Sequence, residues 1–343
     1  MNQKSIAWSG LVLITAALLG IGTLASADDQ PTRLTEAAVR SAEAPIRLTE
    51  PKEAFICPAF SPDGFHIAVT RTDWRGIWLM GADGTGLRQL TDDPGAGYHF
   101  AWSPDGSQIA YRTEQRIDGK RLFAIRTVDV HSGQIEELTD FQRYLGTPRW
   151  VLGDGTVVFE IDREGGLAQA LVVGLIAAQP KETAPRMAAF TSRELCIWVS
   201  EADGSGRTMV SDPGERSFGP LLSPDESRVC YSVLAGGGSI AVAAADGSGS
   251  ISLGYGSNPS WSPDGRYVVY EVTGDDGHVI TGSDLYISAA DGSRRIRLTD
   301  TPARFERWPA WSPDGVRVVY SAHGAIFVQT VSPSLETVTE EAP

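Results

Sequence analysis

Trp261-Ser262-Pro263-Asp264-Gly265, with the apolar run Tyr267-Val268-Val269-Tyr270-Glu271 after it, is the stretch that decides the fold. Proline sets φ for the first corner of a turn, aspartate bonds back to nearby backbone, and glycine supplies the left-handed residue that returns the chain. The β-branched and aromatic residues that follow read as a strand. The five residues are therefore a hairpin turn between two strands.

The passage recurs. Phe60 to Gly64, Trp102 to Gly106 and Trp311 to Gly315 are further clean copies, and Leu222-Ser223-Pro224-Asp225-Glu226 is a copy without its glycine. Trp150-Val151-Leu152-Gly153-Asp154-Gly155 is a degenerate copy one residue longer. A second marker follows in the regular repeats as Ala82-Asp83-Gly84, Ala245-Asp246-Gly247 and Ala290-Asp291-Gly292, with His131-Ser132-Gly133 in the same place and Ala202-Asp203-Gly204 as another copy. Alternating segments flank each marker, among them Gly76 to Met80 before it and Ile296-Arg297-Leu298-Thr299 after it. One repeat is strand, turn, strand, loop, strand, turn, strand.

Four antiparallel strands in about 40 to 50 residues cannot bury both faces of a sheet alone, and such sheets are stable when arranged radially as propeller blades. The expectation is an all-β propeller of six four-stranded blades, with seven as the alternative. The turn copies start at residues 61, 103, 152, 223, 262 and 312, which leaves one long interval. Its irregular part, Gly165 to Phe190, reads as an insertion or as a worn extra blade with its turn at Gln179-Pro180-Lys181-Glu182. Phe60, Trp102, Trp150, Trp261 and Trp311 are assigned to packing between blades rather than to ligand stacking. The last repeat stops at Val331 without a fourth strand, and Pro45-Ile46-Arg47-Leu48-Thr49 has a fourth-strand pattern with no blade before it. The N-terminal strand is thus expected to complete the last blade and remove both open edges.

The chain has 343 residues, 42% hydrophobic and 21% charged, enough to bury a substantial core. Its formal charge of −14 argues against nucleic acid and anionic lipid as non-specific partners. Lys4, the apolar Leu11 to Leu24 and Ala25-Ser26-Ala27 form an export signal with cleavage after Ala27, which predicts a periplasmic or secreted protein. Membrane attachment would arise only if that signal stayed uncleaved. The organisation expected is signal 1–27, linker 28–44, propeller 45–331 and a disordered tail 332–343. Pro31-Thr32-Arg33-Leu34-Thr35-Glu36 resembles Pro45-Ile46-Arg47-Leu48-Thr49-Glu50, as a chance or duplicated fourth-strand sequence. Cys57, Cys196 and Cys230 sit in apolar runs and are expected as buried thiols.

Together these motifs, Trp-Ser-Pro-Asp-Gly before an apolar strand, then Ala-Asp-Gly-Ser and Arg-Leu-Thr, resemble the WD40-like propeller repeat of the TolB family, from about Ile46 to Val331. TolB is a periplasmic partner of the peptidoglycan-associated lipoprotein, and it carries an α/β domain before its propeller. Only Asp28 to Ala44 precede the first blade strand here, so the resemblance implies a stand-alone propeller. It implies an envelope protein or peptide as partner, with the peptidoglycan-associated lipoprotein a candidate, and a monomer.

No Gly-x-Ser-x-Gly elbow is present, and His66, His99, His131, His278 and His323 show no metal-ligand spacing. No catalytic residue, metal or cofactor is assigned; His99 is the one suspect for a catalytic role. The repeated aspartates Asp63, Asp105, Asp264 and Asp314 are turn residues spread by the repeat rather than calcium ligands. Binding is expected on the face where the fourth-to-first and second-to-third strand loops gather. Those loops hold Trp74, Tyr98, His99, Phe305 and Arg307, residue types that anchor interfaces. The function expected is a non-catalytic binding scaffold of the cell envelope; the alternative is a carbohydrate-binding or lyase-type propeller acting on an extracytoplasmic saccharide.

Overall fold

A computed structural model describes residues 44–331, apart from 144, 151–155, 162–168, 176–186, 193–194, 202–205, 276–278 and 302–303. The expected signal, all but the end of the linker, and the tail lie outside the described residues. So do the worn-turn candidate at 179–182 and the 202–204 marker.

The strands form antiparallel sheets of the propeller type, with only two short 3-10 turns beside them among the described residues. Six sheets begin at a copy of the Ser-Pro-Asp-Gly turn, and these are the six blades. The first runs through Phe55–Phe60, His66–Arg71, Ile77–Gly81 and Arg88–Thr91; the second through Ala101–Trp102, Gln108–Ile117, Lys120–Asp129 and Ile135–Glu137. The third has three described strands, Arg149–Trp150, Thr156–Ile161 and Gln169–Leu175. The fourth starts at Ser217–Leu222 and ends at Ser250–Gly254, and the fifth runs from Ser257–Trp261 through Tyr267–Asp275 and Ile280–Ala289 to Arg295–Arg297. Glu306–Trp311, Arg317–Ala322 and Ala325–Thr330 make the closing blade, and Ile46–Arg47 pairs antiparallel with Ala325–Thr330 to complete it. The ring is closed as the terminal repeats predict.

The long interval also holds a seventh sheet that lacks the turn motif: Met187–Thr191, Ile197–Glu201 and Thr208–Met209. A local device shows what it is. Thr139, Thr299 and Thr49 each accept, on Oγ1, a backbone N–H from the third strand of their blade, that of Ile125, Leu285 and Ile326, at 2.9–3.0 Å. This is the physical content of the Arg-Leu-Thr marker. Ser211 Oγ accepts from Ile197 N in the same way at 2.8 Å, so the seventh sheet is built like the outer three strands of a blade.

The turn chemistry is uniform. The motif serine donates to its aspartate at 2.5–2.7 Å in the first, second, fourth and fifth blades, and does so in the closing blade too. That aspartate accepts a backbone N–H two residues on at 3.0–3.1 Å. The glycines sit at φ +68° to +74°, and Glu226 takes the same left-handed place at +57° where its glycine is lost. All these aspartates are thus satisfied within their turns, which holds each of Asp63, Asp105, Asp225 and Asp314 below the usual carboxylate range.

Blades pack through the apolar faces of their sheets, and the motif aromatics sit between them. The indole N–H of Trp102 donates to Ala59 O, that of Trp150 to Ala101 O and that of Trp261 to Leu221 O, at 2.9–3.2 Å. Each reaches the preceding blade's first strand, one residue before its matching position. Phe60 and Trp311 are buried in the corresponding interfaces. The three cysteines are free thiols, two of them buried.

Candidate functional site

The first strands lie side by side around the centre of the ring, and five carry the same irregularity. Cys57, His99, Gly219, Asn258 and Trp308 each stand three residues before the interblade position, with φ between +50° and +64°. Backbone register slips at this point in the first, fourth, fifth and closing blades. For residues other than glycine this conformation costs about 1–3 kcal/mol and persists only where the surroundings fix it.

Three aromatic rings, two from loops and one from the closing blade's first strand, meet on the loop face. Trp74, at φ +60° in the loop after the first blade's second strand, packs edge-to-face against Tyr98 (5.4 Å, 81°) and Trp308 (6.1 Å, 86°). Tyr98 is brought there because its loop lies against the first blade: Gly97 donates to Trp74 O, and a Cβ on Gly97 would stand 1.8 Å from Thr70 Oγ1, so only glycine fits. Trp308 is fixed from the other side by the buried carboxylate of Glu271, which accepts its backbone N–H at 2.9 Å. Glu271 also accepts from Ser257 Oγ at 3.0 Å and pairs with Arg307 at 3.4 Å.

Guanidinium groups extend the arc at both ends. Arg307 lies 4.4 Å over Trp308; Arg112 lies over Tyr98 (5.5 Å) and Phe123 (4.4 Å) and donates to Leu145 O; Arg121 lies over Phe123 (5.2 Å) and pairs with Glu114. The result is a continuous run of rings and guanidiniums over the closing, first and second blades. Beneath its second-blade end is a cavity of about 370 Å³ lined by Asp73, Trp74, Gly95, Tyr98, Arg112, Glu114, Arg121 and Phe123.

Of the sequence-assigned residues, Trp74, Tyr98, His99 and Arg307 come together. His99 touches Tyr98 edge-on at 4.5 Å. Its ring is reached by solvent yet enclosed by protein, and that enclosure, followed by the charges of Arg149 and Arg112, pushes its pKa down to about 4. Phe305 stands apart: its ring meets His323 at 6.0 Å, and its backbone bridges to Ser283 of the fifth blade. Sequence reasoning missed Trp308, Arg112, Phe123 and Glu271. Glu271 did leave a signal, a lone carboxylate closing an apolar run.

Elsewhere on the ring, burial raises the Cys57 thiol far above its usual range, with Glu271 adding to the effect. Among the described residues no group of three or more His, Cys, Asp or Glu side chains is placed to hold a metal ion.

No family model and no curated protein matches the chain. Solved structures do. TolB from Acinetobacter baumannii superposes with a TM-score of 0.55 at 20% identity over 79% of this chain and 60% of that one, so the chain spans well under two thirds of it. The RRP9 WD40 repeats give 0.59 at 14% identity, covering 85% and 100%, and XC5397 from Xanthomonas campestris, described as a gluconolactonase, gives 0.54 at 18%, covering 88% and 94%. At such identities the likeness is one of fold. In fold, then, the chain is a TolB-like β-propeller of WD40-like repeats closed by its own N-terminal strand.

Proposed function

We propose that this chain is a non-catalytic binding scaffold of the cell envelope, exported by its N-terminal signal, that captures a protein or peptide partner on the loop face of the propeller. The observation that carries this reading is the arc of Trp308, Trp74, Tyr98, Arg112 and Phe123, assembled from three blades and anchored underneath by Glu271. Large rings and arginines that are held rigid lose little freedom on binding, and they dominate interface energetics. A peptidoglycan-associated lipoprotein is the first partner to test.

The test is affinity capture from cross-linked envelope with wild type, Trp74→Ala and Phe305→Ala. A partner retained by wild type and by Phe305→Ala but lost with Trp74→Ala supports the site; equal retention by all three overturns it. A second reading, an enzyme acting on a saccharide, is favoured by one observation: His99 stands on the loop face against Tyr98, with its pKa lowered by enclosure and by the charges of Arg149 and Arg112. Turnover of an acidic oligosaccharide that disappears in His99→Ala would replace the scaffold reading.

A further inference from the structure

Two blades carry hairpins longer than those of the first, fourth and closing blades. In the second blade Gln108–Ile117 and Lys120–Asp129 are ten residues each, and in the fifth Tyr267–Asp275 and Ile280–Ala289 are nine and ten; the second strands of the first, fourth and closing blades have six. Both extensions rise on the loop face, one on each side of the first and closing blades. The described chain enters its closing strand and leaves Ala325–Thr330 at the opposite face.

The second-blade arm is rigid. Asp118 and Gly119 form its two-residue tip at φ +51° and +75°, the pairing that suits a twisted hairpin. Its base is tied down: Glu114 N and Thr113 Oγ1 donate to Pro94 O, and Phe123 and Gln142 exchange backbone bonds at 2.7–2.8 Å. Its tip is basic in a chain of net charge −14: Arg116, Lys120 and Arg121 are exposed, and Arg116 stands directly across from Arg121. Glu114 already compensates Arg121 and Asp118 is the one acid of the tip, so Arg116 and Lys120 are the cations turned to an external anion. The cavity opens at the foot of this arm, walled by Trp74, Tyr98 and Phe123.

We propose that the cavity takes an aromatic side chain from an acidic peptide segment of the partner, whose flanking carboxylates meet Arg116 and Lys120. This rests on the scaffold reading and names the chemistry of its ligand. Arginine pairs carboxylates with directional bonds, and an apolar anchor in a desolvated pocket supplies the affinity. A peptide fits better than a saccharide for two reasons. Trp74 stands edge-on to both its aromatic neighbours, at 81° and 86°, and so forms no flat platform with them for sugar rings. The arm's exposed strand edge at Gln115 to Ile117 offers backbone groups to an extended chain.

The probes are labelled peptides Asp-Glu-Trp-Glu-Asp, Asp-Glu-Ala-Glu-Asp and Lys-Lys-Trp-Lys-Lys, and trigalacturonate as competitor, followed by fluorescence anisotropy at low and at 0.5 M salt. The acidic tryptophan peptide is expected to bind at least tenfold tighter than either control, and high salt should weaken it. The double variant Arg116→Glu with Lys120→Glu, outside the cavity lining, should reverse the preference between acidic and basic peptides, while Phe123→Ala should weaken both. Circular dichroism confirms that each variant is folded. Equal binding of all three peptides, an unreversed preference in the double variant, or trigalacturonate binding without peptide binding would each overturn the inference. Envelope capture separates the two levels: a partner held by wild type through Trp74 while none of the peptides bind removes only this ligand assignment, whereas tight acidic-peptide binding with no protein partner recovered removes the scaffold reading instead.

Discussion

Tyr111, Tyr231, Tyr270 and Tyr320 occupy the same place in the second strands of four blades, and all are fully buried. Their hydroxyls are not equivalent. Tyr111 donates to the Asp93 carboxylate at 2.8 Å, and Asp93 is itself held by Arg126 at 2.9 Å. Tyr270 Oη lies 3.0 Å from Leu253 O and 2.7 Å from Ser288 Oγ. Tyr320 Oη has no hydrogen-bond partner, and burial, with Glu306 beside it, raises its pKa far above the usual range. A buried bond to a charged group contributes about 1.5–3 kcal/mol and a neutral one about 0.5–1.5, whereas an unpaired buried hydroxyl costs about 1–3. Phenylalanine keeps the ring and deletes only the hydroxyl. Tyr111→Phe should therefore destabilise by roughly 2 kcal/mol and Tyr270→Phe by about 1, each leaving an acceptor behind, while Tyr320→Phe should be neutral or stabilising by up to about 1 kcal/mol. For a domain of this size 1 kcal/mol moves Tm by about 2–4 °C, so the three variants separate in urea denaturation midpoints and in calorimetry. Tyr111→Phe should also lose its effect in an Asp93→Ala background, which removes the acceptor, since the two share one interaction. Equal destabilisation of all three would refute the hydrogen-bond assignment and leave ring packing as the common cause.

Three further outcomes follow from single sites. Glu306 is fully buried without a well-formed hydrogen bond to either carboxylate oxygen, and burial raises its pKa. A carboxyl raised in the folded state destabilises as pH climbs from the unfolded toward the folded value. Glu306→Gln should hence be more stable than wild type at pH 8, with the gap closing toward pH 4.5; urea midpoints showing a gap independent of pH would count against it. His99, lowered to about 4, should titrate near that value by NMR, and its contribution to stability is complete above its ordinary pKa of 6.5 and lost as pH falls toward 4; a midpoint near 6.5 would show an open, unperturbed ring. Gly315 sits at φ +72° with Pro263 Cγ 3.3 Å from where a Cβ would stand, so Gly315→Ala should cost about 1–3 kcal/mol, and an unchanged denaturation midpoint would deny the turn its strain.

Much of the molecule could be read without coordinates because each repeat signals its own local chemistry. The serine-proline-aspartate-glycine turn closes its hydrogen bonds within six residues, so it is legible wherever it occurs. Interblade aromatics were legible for a related reason: Trp102, Trp150 and Trp261 do the same job at the same place in three copies. Ring closure by Ile46 and Arg47 followed from counting strands at both ends. The site was legible only in part. Choosing large loop residues picked out Trp74, Tyr98 and Arg307, which do meet, and equally Phe305, which turns to His323.

What the sequence determined by itself was the repeat, and with it the strand order, the turns, the packing aromatics and the face on which irregular loops gather. What only the tertiary structure decided was which side chains from different repeats touch. Trp74 meets Trp308 because closing the ring makes the first and last blades neighbours, and Trp308 faces that way because the carboxylate of Glu271, in a third blade, accepts its backbone N–H. Such contacts join non-periodic residues far apart in the chain. No local propensity or spacing encodes them; they exist only once the blades are packed.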